Sequence, residues 1–202
     1  SLHVKFLCED DDALGRNEVV ELVNIIDKKC SKGGPIVIPD EEVIPASTIC
    51  NFVIVNQVYQ CLVENMDVKI ITSVNEENHL PGLSNAHITY FEATSKTLEF
   101  IPKGIINKFP NVKALKFNFE KLAELSESEL KPFGDKLNSL WISVSAIDVL
   151  KQNVFDSTLN INHLFMSAPK LMNIENGTFD RLSNLNKLTI QFRCINEDAT
   201  TK

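Results

Sequence analysis

The sequence is poor in the residue arrangements that carry catalysis or hold metals. Its five cysteines form no CxxC pair and no close Cys/His pair, which disfavours a zinc site. The stretch "SKGGP" at residues 31–35 lacks the strand and the Lys–Ser/Thr geometry of a phosphate-binding loop. No nucleophile is paired with a base, and His79 and His87 are expected to be surface residues of a polar loop. These absences predict a protein with no enzymatic activity, no metal and no cofactor.

The chain also lacks an excess of basic residues and a long uninterrupted apolar run. It carries 20 Lys and Arg against 27 Asp and Glu, a net charge of -7, which argues against nucleic acid as a partner. The longest apolar stretch, "ICNFVIVNQVYQCLV", is broken by Asn and Gln residues, so no membrane span is expected. With 44% apolar residues the chain has the composition of a globular protein that buries a core.

What the sequence does contain is a repeat of about 24 residues. Each unit is apolar at its positions 1, 4, 6, 11, 14 and 19, the pattern of leucine-rich repeats. Four full units begin at Ile88, Val112, Leu137 and Ile161, and a partial fifth begins at Leu185. The pattern predicts an α/β fold, a right-handed leucine-rich repeat solenoid over residues 88–202 with a parallel sheet on its concave side.

Two features depart from the usual repeat. The position after each strand that is commonly Asn holds Lys96, Glu120, Ser145, Pro169 and Arg193. The turns must therefore satisfy their backbone groups in another way. The pattern also ends after Ile195 without an obvious cap, so an apolar end of the solenoid is expected to be exposed. The polar tail, a further stretch of chain or another subunit would then have to cover it.

The side chains between the apolar strand positions are expected to form the concave face. Trp141, the only tryptophan, and Phe165 occupy the same position in adjacent units and should lie about 5 Å apart. Aromatic residues among Ser, Thr and Asn are typical of a binding hot spot with a polar surround. A fully covered indole would contribute roughly 4–6 kcal/mol. The predicted partner-binding residues are Tyr90, Glu92, Lys116, Trp141, His163 and Phe165.

Two other interpretations of the apolar side chains on this face remain open. The last strand position of each unit is mostly apolar, and its large residues are expected to pack inward rather than bind a partner. They are Phe119, Val144 and Phe192. In addition, residues 1–49 could fold over the sheet and cover Trp141 within the same chain.

Residues 50–117 carry a resemblance to a known family. "CNFVIVNQVYQC", from Cys50 to Cys61, alternates as expected for a strand pair closed by a disulfide. Together with "SVNEENHLPGLSNAHI" and "IPKGIINKFPNV", it resembles the secreted leucine-rich repeat proteins of dipteran insects, over about residues 50–195. The resemblance implies an extracellular protein whose N-terminal cap, residues 50–87, is closed by a Cys50–Cys61 bridge. The better-known relatives act in humoral innate immunity through protein contacts, but they carry coiled coils that this chain lacks.

Residues 1–49 lie outside that resemblance and form a predicted N-terminal extension. "LHVKFLCE" is expected to be a strand and "NEVVELVNIIDKKC" an amphipathic helix, and Cys8 with Cys30 is the simplest second disulfide. Cys194 would then be the odd thiol. Elsewhere, Asn176 in "NGT" is a candidate glycosylation acceptor, and Ser126 with Glu129 has capping-box spacing.

Two functions follow from these features. The first is a secreted, non-enzymatic module that binds a protein ligand on the concave face. The alternative is an extracellular structural or self-assembling protein that forms homodimers through Cys194 or through the uncapped C-terminal end.

Overall fold

The computed structural model describes residues 3–8, 47–144 and 146–193, and its main feature is a sheet of eight strands. The described residues form twelve strands: β1 (His3–Cys8), β2 (Ser47–Thr48), β3 (Asn51–Val55), β4 (Val58–Val63), β5 (Ser73–Val74), β6 (Tyr90–Ser95), β7 (Ala114–Phe119), β8 (Ser139–Val144), β9 (Val149–Leu150), β10 (His163–Ser167), β11 (Asn173–Ile174) and β12 (Lys187–Phe192). The main sheet has the order β3-β4-β6-β7-β8-β10-β12-β1, and β2 with β5 and β9 with β11 form two small pairs.

Helices contribute little to the described residues. The α-helices are single turns, α1 (Ile105–Lys108) and α2 (Glu127–Leu130). Three further turns are 3-10 helices, at Glu76–Asn78, Asn85–His87 and Gly134–Lys136. None of the helices in these ranges has the length and hydropathy needed to cross a bilayer.

Seven of the eight strands in the main sheet run parallel, and their pairing follows the period seen in the sequence. Tyr90 pairs with Ala114, Ala114 with Ser139, Ser139 with His163 and His163 with Lys187. Paired residues are thus 24 or 25 positions apart along the chain. The predicted α/β class with a mainly parallel sheet is confirmed, and only β3 is antiparallel to its neighbour.

The apolar positions of the repeat form the core. In the central strands every second residue is buried, as the two-residue period of a strand requires when one face is covered. On that face the first row consists of Phe91, Leu115, Leu140, Leu164 and Leu188, all 3% exposed or less. The same buried cluster includes residues at later repeat positions: Leu98, Leu122, Ile147, Leu171, Ile101, Leu125 and Leu150.

The turn after β6 shows how the backbone is satisfied without the usual asparagine. The Ser95 hydroxyl donates to the carbonyl of Met66 at 2.6 Å. It also accepts the backbone N–H groups of Thr97 and Leu98 at 3.2 and 3.0 Å. The buried Ser95 hydroxyl therefore satisfies backbone groups of this turn, which is the role of the asparagine side chain in the usual leucine-rich repeat pattern.

The predicted capping box begins α2. The backbone N–H of Ser126 donates to the Glu129 carboxylate at 2.9 Å, as the spacing of the two residues predicted. The other carboxylate oxygen accepts the N–H of Ile101, which belongs to the preceding unit, at 3.0 Å. Burial raises the pKa of Glu129 and these donors oppose that shift. Glu129 thus connects two successive units as well as capping a helix.

The predicted disulfide between Cys50 and Cys61 is confirmed, and both cysteines are buried. Strands β3 and β4 form a hairpin whose turn residues, Asn56 and Gln57, have φ angles of 51° and 67°. Two positive φ values are typical of the two-residue turns that match strand twist. The Asn75 side chain holds the cap together, because it accepts the N–H and donates to the carbonyl of Cys50, at 2.7 and 3.0 Å.

His79 corrects the expectation of a surface histidine in a polar loop. Its ring lies 3.9 Å from the Phe52 ring, between centroids, and its nitrogens bond the Tyr59 hydroxyl at 2.8 Å and the Asn85 side chain at 2.9 Å. The aromatic partners, Phe52 and Tyr59, come from the hairpin, 27 and 20 residues away in sequence. His87 is exposed, as expected.

The C-terminal edge of the sheet also differs from expectation. β1 pairs in parallel with β12, from His3 opposite Lys187 to Cys8 opposite Phe192, so the backbone edge of β12 is occupied by the chain's own N-terminal strand. The repeat pattern could not indicate this partner because β1 lies outside the repeats. The strand predicted in "LHVKFLCE" is confirmed. The predicted helix within residues 17–30, the Cys8–Cys30 bridge and Cys194 lie outside the described residues.

Candidate functional site: the open face of the main sheet

All six predicted binding residues lie on the face of the main sheet that points away from the core, which we call the open face. Two rows of paired residues cross it. The first row reads Tyr90, Ala114, Ser139, His163 and Lys187. The second row, one pleat further along, reads Glu92, Lys116, Trp141, Phe165, Thr189 and Lys5.

Trp141 contacts Tyr90 across the intervening strand β7. The centroids of the two rings are 6.1 Å apart and the rings are tilted by 49°. Strands two places apart are separated by about 10 Å, so both side chains must lean over β7 to meet. Ala114, the β7 residue paired with Tyr90, leaves room for this contact because its side chain is a single methyl group. Trp141 is consequently half-buried rather than free.

Glu92 connects this aromatic pair to a lysine. It accepts the Tyr90 hydroxyl at 3.0 Å through one oxygen and contacts the Lys116 ammonium at 2.9 Å through the other. The Lys116 and Glu92 side chains are 46% and 26% exposed, so the ion pair contributes little to stability and mainly orients the carboxylate.

The phenol of Tyr90 is held in its neutral form. Burial first, and then the charge and hydrogen bond of Glu92, raise the pKa of Tyr90 above its ordinary value. Because the pKa of Tyr90 is raised in the folded state, the contribution of this residue to folding stability is fully present below its unfolded-state pKa. It is lost only as the pH rises through the folded-state pKa, in strongly alkaline solution. The Tyr90–Glu92 bond is therefore intact at neutral pH.

A groove of about 540 Å³ opens on the other side of Trp141. The side chains that line it include Lys5, Trp141, His163, Phe165, Lys187, Thr189 and Gln191. Three of the six predicted residues therefore line the groove, while Tyr90, Glu92 and Lys116 form the network beside it. Trp141 belongs to both groups.

The predicted binding residues do not include four side chains of this groove. The period assigns Lys187, Thr189 and Gln191 to the same face as Trp141, but they were not selected as binding residues. Thr189 is only 8% exposed, because it lies between Phe165 and Lys5 in its row. Lys5 could not be predicted, because only the pairing of β1 with β12 brings it to the sheet.

The margin of the sheet follows the prediction of inward packing. Phe119 and Val144 are 0% and 3% exposed, and Phe192 packs partly against the core. These side chains pack toward the core and are not among the residues that line the groove.

Two other predicted or possible sites lie away from the open face. Asn176 is exposed on a turn, and the hydroxyl of Thr178 in the same tripeptide donates to the carbonyl of Glu175 at 2.6 Å. Glycosylation of Asn176 stays a prediction. A second depression of about 500 Å³, next to α1 and α2, is lined mainly by apolar residues that include Phe100 and Phe133. Within the described ranges, no three His, Cys, Asp or Glu side chains are grouped to hold a metal ion.

The role of the open face is inferred from its geometry. Comparisons of the chain with protein-family models, with curated proteins and with solved structures return no match.

Proposed function

We propose that the chain is a secreted leucine-rich repeat solenoid that binds a protein ligand on the concave face of its sheet, without enzymatic activity. The observation that carries the proposal is the pair Trp141 and Phe165, partly exposed on adjacent strands at the wall of the groove. Exposed aromatic side chains in a concave site with a polar surround are typical of the centre of a protein interface.

The support beneath the groove favours binding. Leu140 and Leu164 lie on the opposite side of the same two strands and are at most 2% exposed. The strands that carry the aromatic pair are therefore held by a packed core, and little order has to be created when a ligand binds. Such preorganisation increases affinity because it lowers the entropic cost of association.

An extracellular location is supported by the buried Cys50–Cys61 disulfide, since disulfides persist in oxidising compartments. The resemblance of residues 50–195 to secreted insect leucine-rich repeat proteins points to the same location and to a role in innate immunity.

A selection experiment tests the proposed binding face. A displayed library of random 12-residue peptides is selected on the immobilised chain, and each enriched clone is measured against the double variant Trp141→Ala/Phe165→Ala. We expect the clones to lose binding to the double variant and to keep it to Phe100→Ala. Phe100 is a matched control, because it is also half-buried but lines the depression next to α1 and α2. Clones that bind the double variant as well as the original chain would refute the assignment of this face.

Self-association is the second candidate function, and one observation favours a particular surface for it. Among the described residues β3 is the last strand at its end of the sheet, and it carries no charged residue. Ile49, Ile54 and Val55, in or beside β3, are 73%, 55% and 47% exposed. An uncharged apolar edge strand can pair with the same strand of a second copy, which would satisfy both edges. This surface replaces the C-terminal edge, which β1 occupies.

Sedimentation tests this second candidate. The chain is expected to form dimers at tens of micromolar, and Ile54→Lys should shift them to monomers because a lysine on an edge strand opposes pairing. Met172→Lys is the matched control, since Met172 is 73% exposed and lies outside the main sheet. Dimers that survive Ile54→Lys but disappear with Cys194→Ser would instead assign self-association to a Cys194 disulfide.

A further inference from the structure

The groove on the open face is cationic although the chain as a whole is acidic. Two exposed lysines, Lys5 and Lys187, and the exposed His163 line it. Among the described residues that line the groove, none carries a carboxylate, whereas the whole chain has a net charge of -7. The sign of the local charge is therefore opposite to that of the protein.

The two lysines lie close together on neighbouring strands. Lys5 pairs with Thr189, and Lys187 is two residues before Thr189 on β12. The two Cα atoms are therefore diagonal neighbours, about 8 Å apart. Two ammonium groups carried on neighbouring strands repel each other, and an anion bound between them would offset that repulsion.

The one carboxylate in the two rows of the open face does not neutralise these lysines. Glu92 lies on β6, four strands away from β12, and its oxygens already contact Tyr90 and Lys116. On the aromatic side of the open face, the charges of Glu92 and Lys116 thus neutralise each other. The side formed by β12 and β1 presents positive charge to a ligand.

We propose that the groove binds an acidic segment of a protein partner, with an aromatic or aliphatic side chain against Trp141 and Phe165 and with carboxylates at Lys5 and Lys187. The proposal rests on the proposed function, because it names the ligand of the same face. Charge complementarity carries it.

A polypeptide fits this groove better than a uniformly polar anionic chain. The Trp141 ring is tilted against Tyr90 on one side and half-covered, so its remaining apolar surface faces the groove beside Phe165. An amphipathic ligand uses both this apolar surface and the ammonium groups. A sulfated polysaccharide would use only the ammonium groups and leave the aromatic side chains uncovered.

Charge inversion of the groove is the test. The library of random 12-residue peptides is selected in parallel on the original chain, on Lys5→Glu/Lys187→Glu and on Lys131→Glu. We expect clones from the original chain to be enriched in Asp and Glu next to an aromatic or aliphatic residue. The groove variant should weaken these clones by at least tenfold and should itself select clones enriched in Lys and Arg.

The control and the second variant keep the outcome interpretable. Lys131 is exposed at the end of α2, away from the main sheet, so Lys131→Glu tests whether a change in net charge alone alters the selection. Lys187→Glu alone is tested as well, because Lys5 lies on β1 and its replacement could disturb the pairing with β12. Each variant is used after its melting temperature matches that of the original chain.

The possible results separate this inference from the proposed function. Clones that require Trp141 but show no acidic enrichment would overturn the acidic ligand and leave the binding face intact. An absence of clones that require Trp141 would overturn both. Competition with heparin tests the polypeptide assignment. This assignment would be overturned if heparin bound through Lys5 and Lys187 and displaced every enriched peptide at a lower concentration than the unlabelled peptide needs to displace itself.

Discussion

Replacing Trp141 with alanine is expected to weaken binding of a peptide selected on the open face by about 20-fold. The contact with Tyr90 already covers part of the indole, and Trp141 is only partly exposed. A partner can therefore cover roughly 70 Å² more, about a third of what a tryptophan buries in full. At about 25 cal/mol/Å² this corresponds to about 1.8 kcal/mol. The effect is smaller than the sequence suggested, because the sequence did not reveal the ring contact.

Titration calorimetry measures this loss of affinity, and a double-mutant cycle tests whether Trp141 and Phe165 contact the same part of the ligand. Trp141→Ala and Phe165→Ala are measured singly and together, and their coupling is expected to be about 0.5–1.5 kcal/mol because adjacent rings would contact the same ligand side chain. Phe100→Ala should leave the affinity unchanged. An unaltered affinity for Trp141→Ala would exclude this residue from the interface.

Replacing Gly104 with alanine is expected to lower the free energy of unfolding by at least about 3 kcal/mol. Gly104 has a φ of 88°, where a side chain costs about 1–2 kcal/mol. A Cβ atom there would also collide with the carbonyl oxygen of Ile71, a backbone atom that cannot rotate away. The collision would disrupt the hydrogen bond from the Ile71 N–H to the Lys103 carbonyl, 2.9 Å long, which joins the N-terminal cap to the segment before α1.

Gly82→Ala is the control for this prediction. Gly82 has a similar φ of 79°, but an added Cβ atom would meet no other atom within 4 Å. Gly82→Ala should lower the free energy of unfolding only by the backbone strain, about 1–2 kcal/mol. Urea unfolding of the two variants compares the values, and equal losses would show that close approach to Ile71 does not matter for stability.

Much of the fold could be predicted because one chemical pattern recurs along the chain. Leu140 and Leu164 are equivalent in the repeat, and the structure pairs them on adjacent strands with both side chains buried. The same alternation assigned Trp141 and Phe165 to the opposite face. The capping box at Ser126 and the Cys50–Cys61 bridge were also predictable, because each depends on residues a short distance apart.

The parts that could not be predicted join residues with no periodic relation. His79 belongs to an aromatic cluster because the hairpin brings Phe52 and Tyr59 to it. Gly104 needs to be glycine because a loop from the N-terminal cap passes directly against it. Neither requirement is visible in the residues that surround these positions in the sequence.

The sequence by itself determined the parallel strands, their spacing of 24 or 25 residues and the face of each that is buried. It could do so because burial of equivalent apolar side chains is a local property repeated in every unit. Only the tertiary structure decided which segment pairs with β12, and therefore that Lys5 joins Lys187 beside the aromatic side chains. That decision depends on backbone hydrogen bonds between strands more than 180 residues apart, and such bonds leave no pattern in the amino-acid sequence.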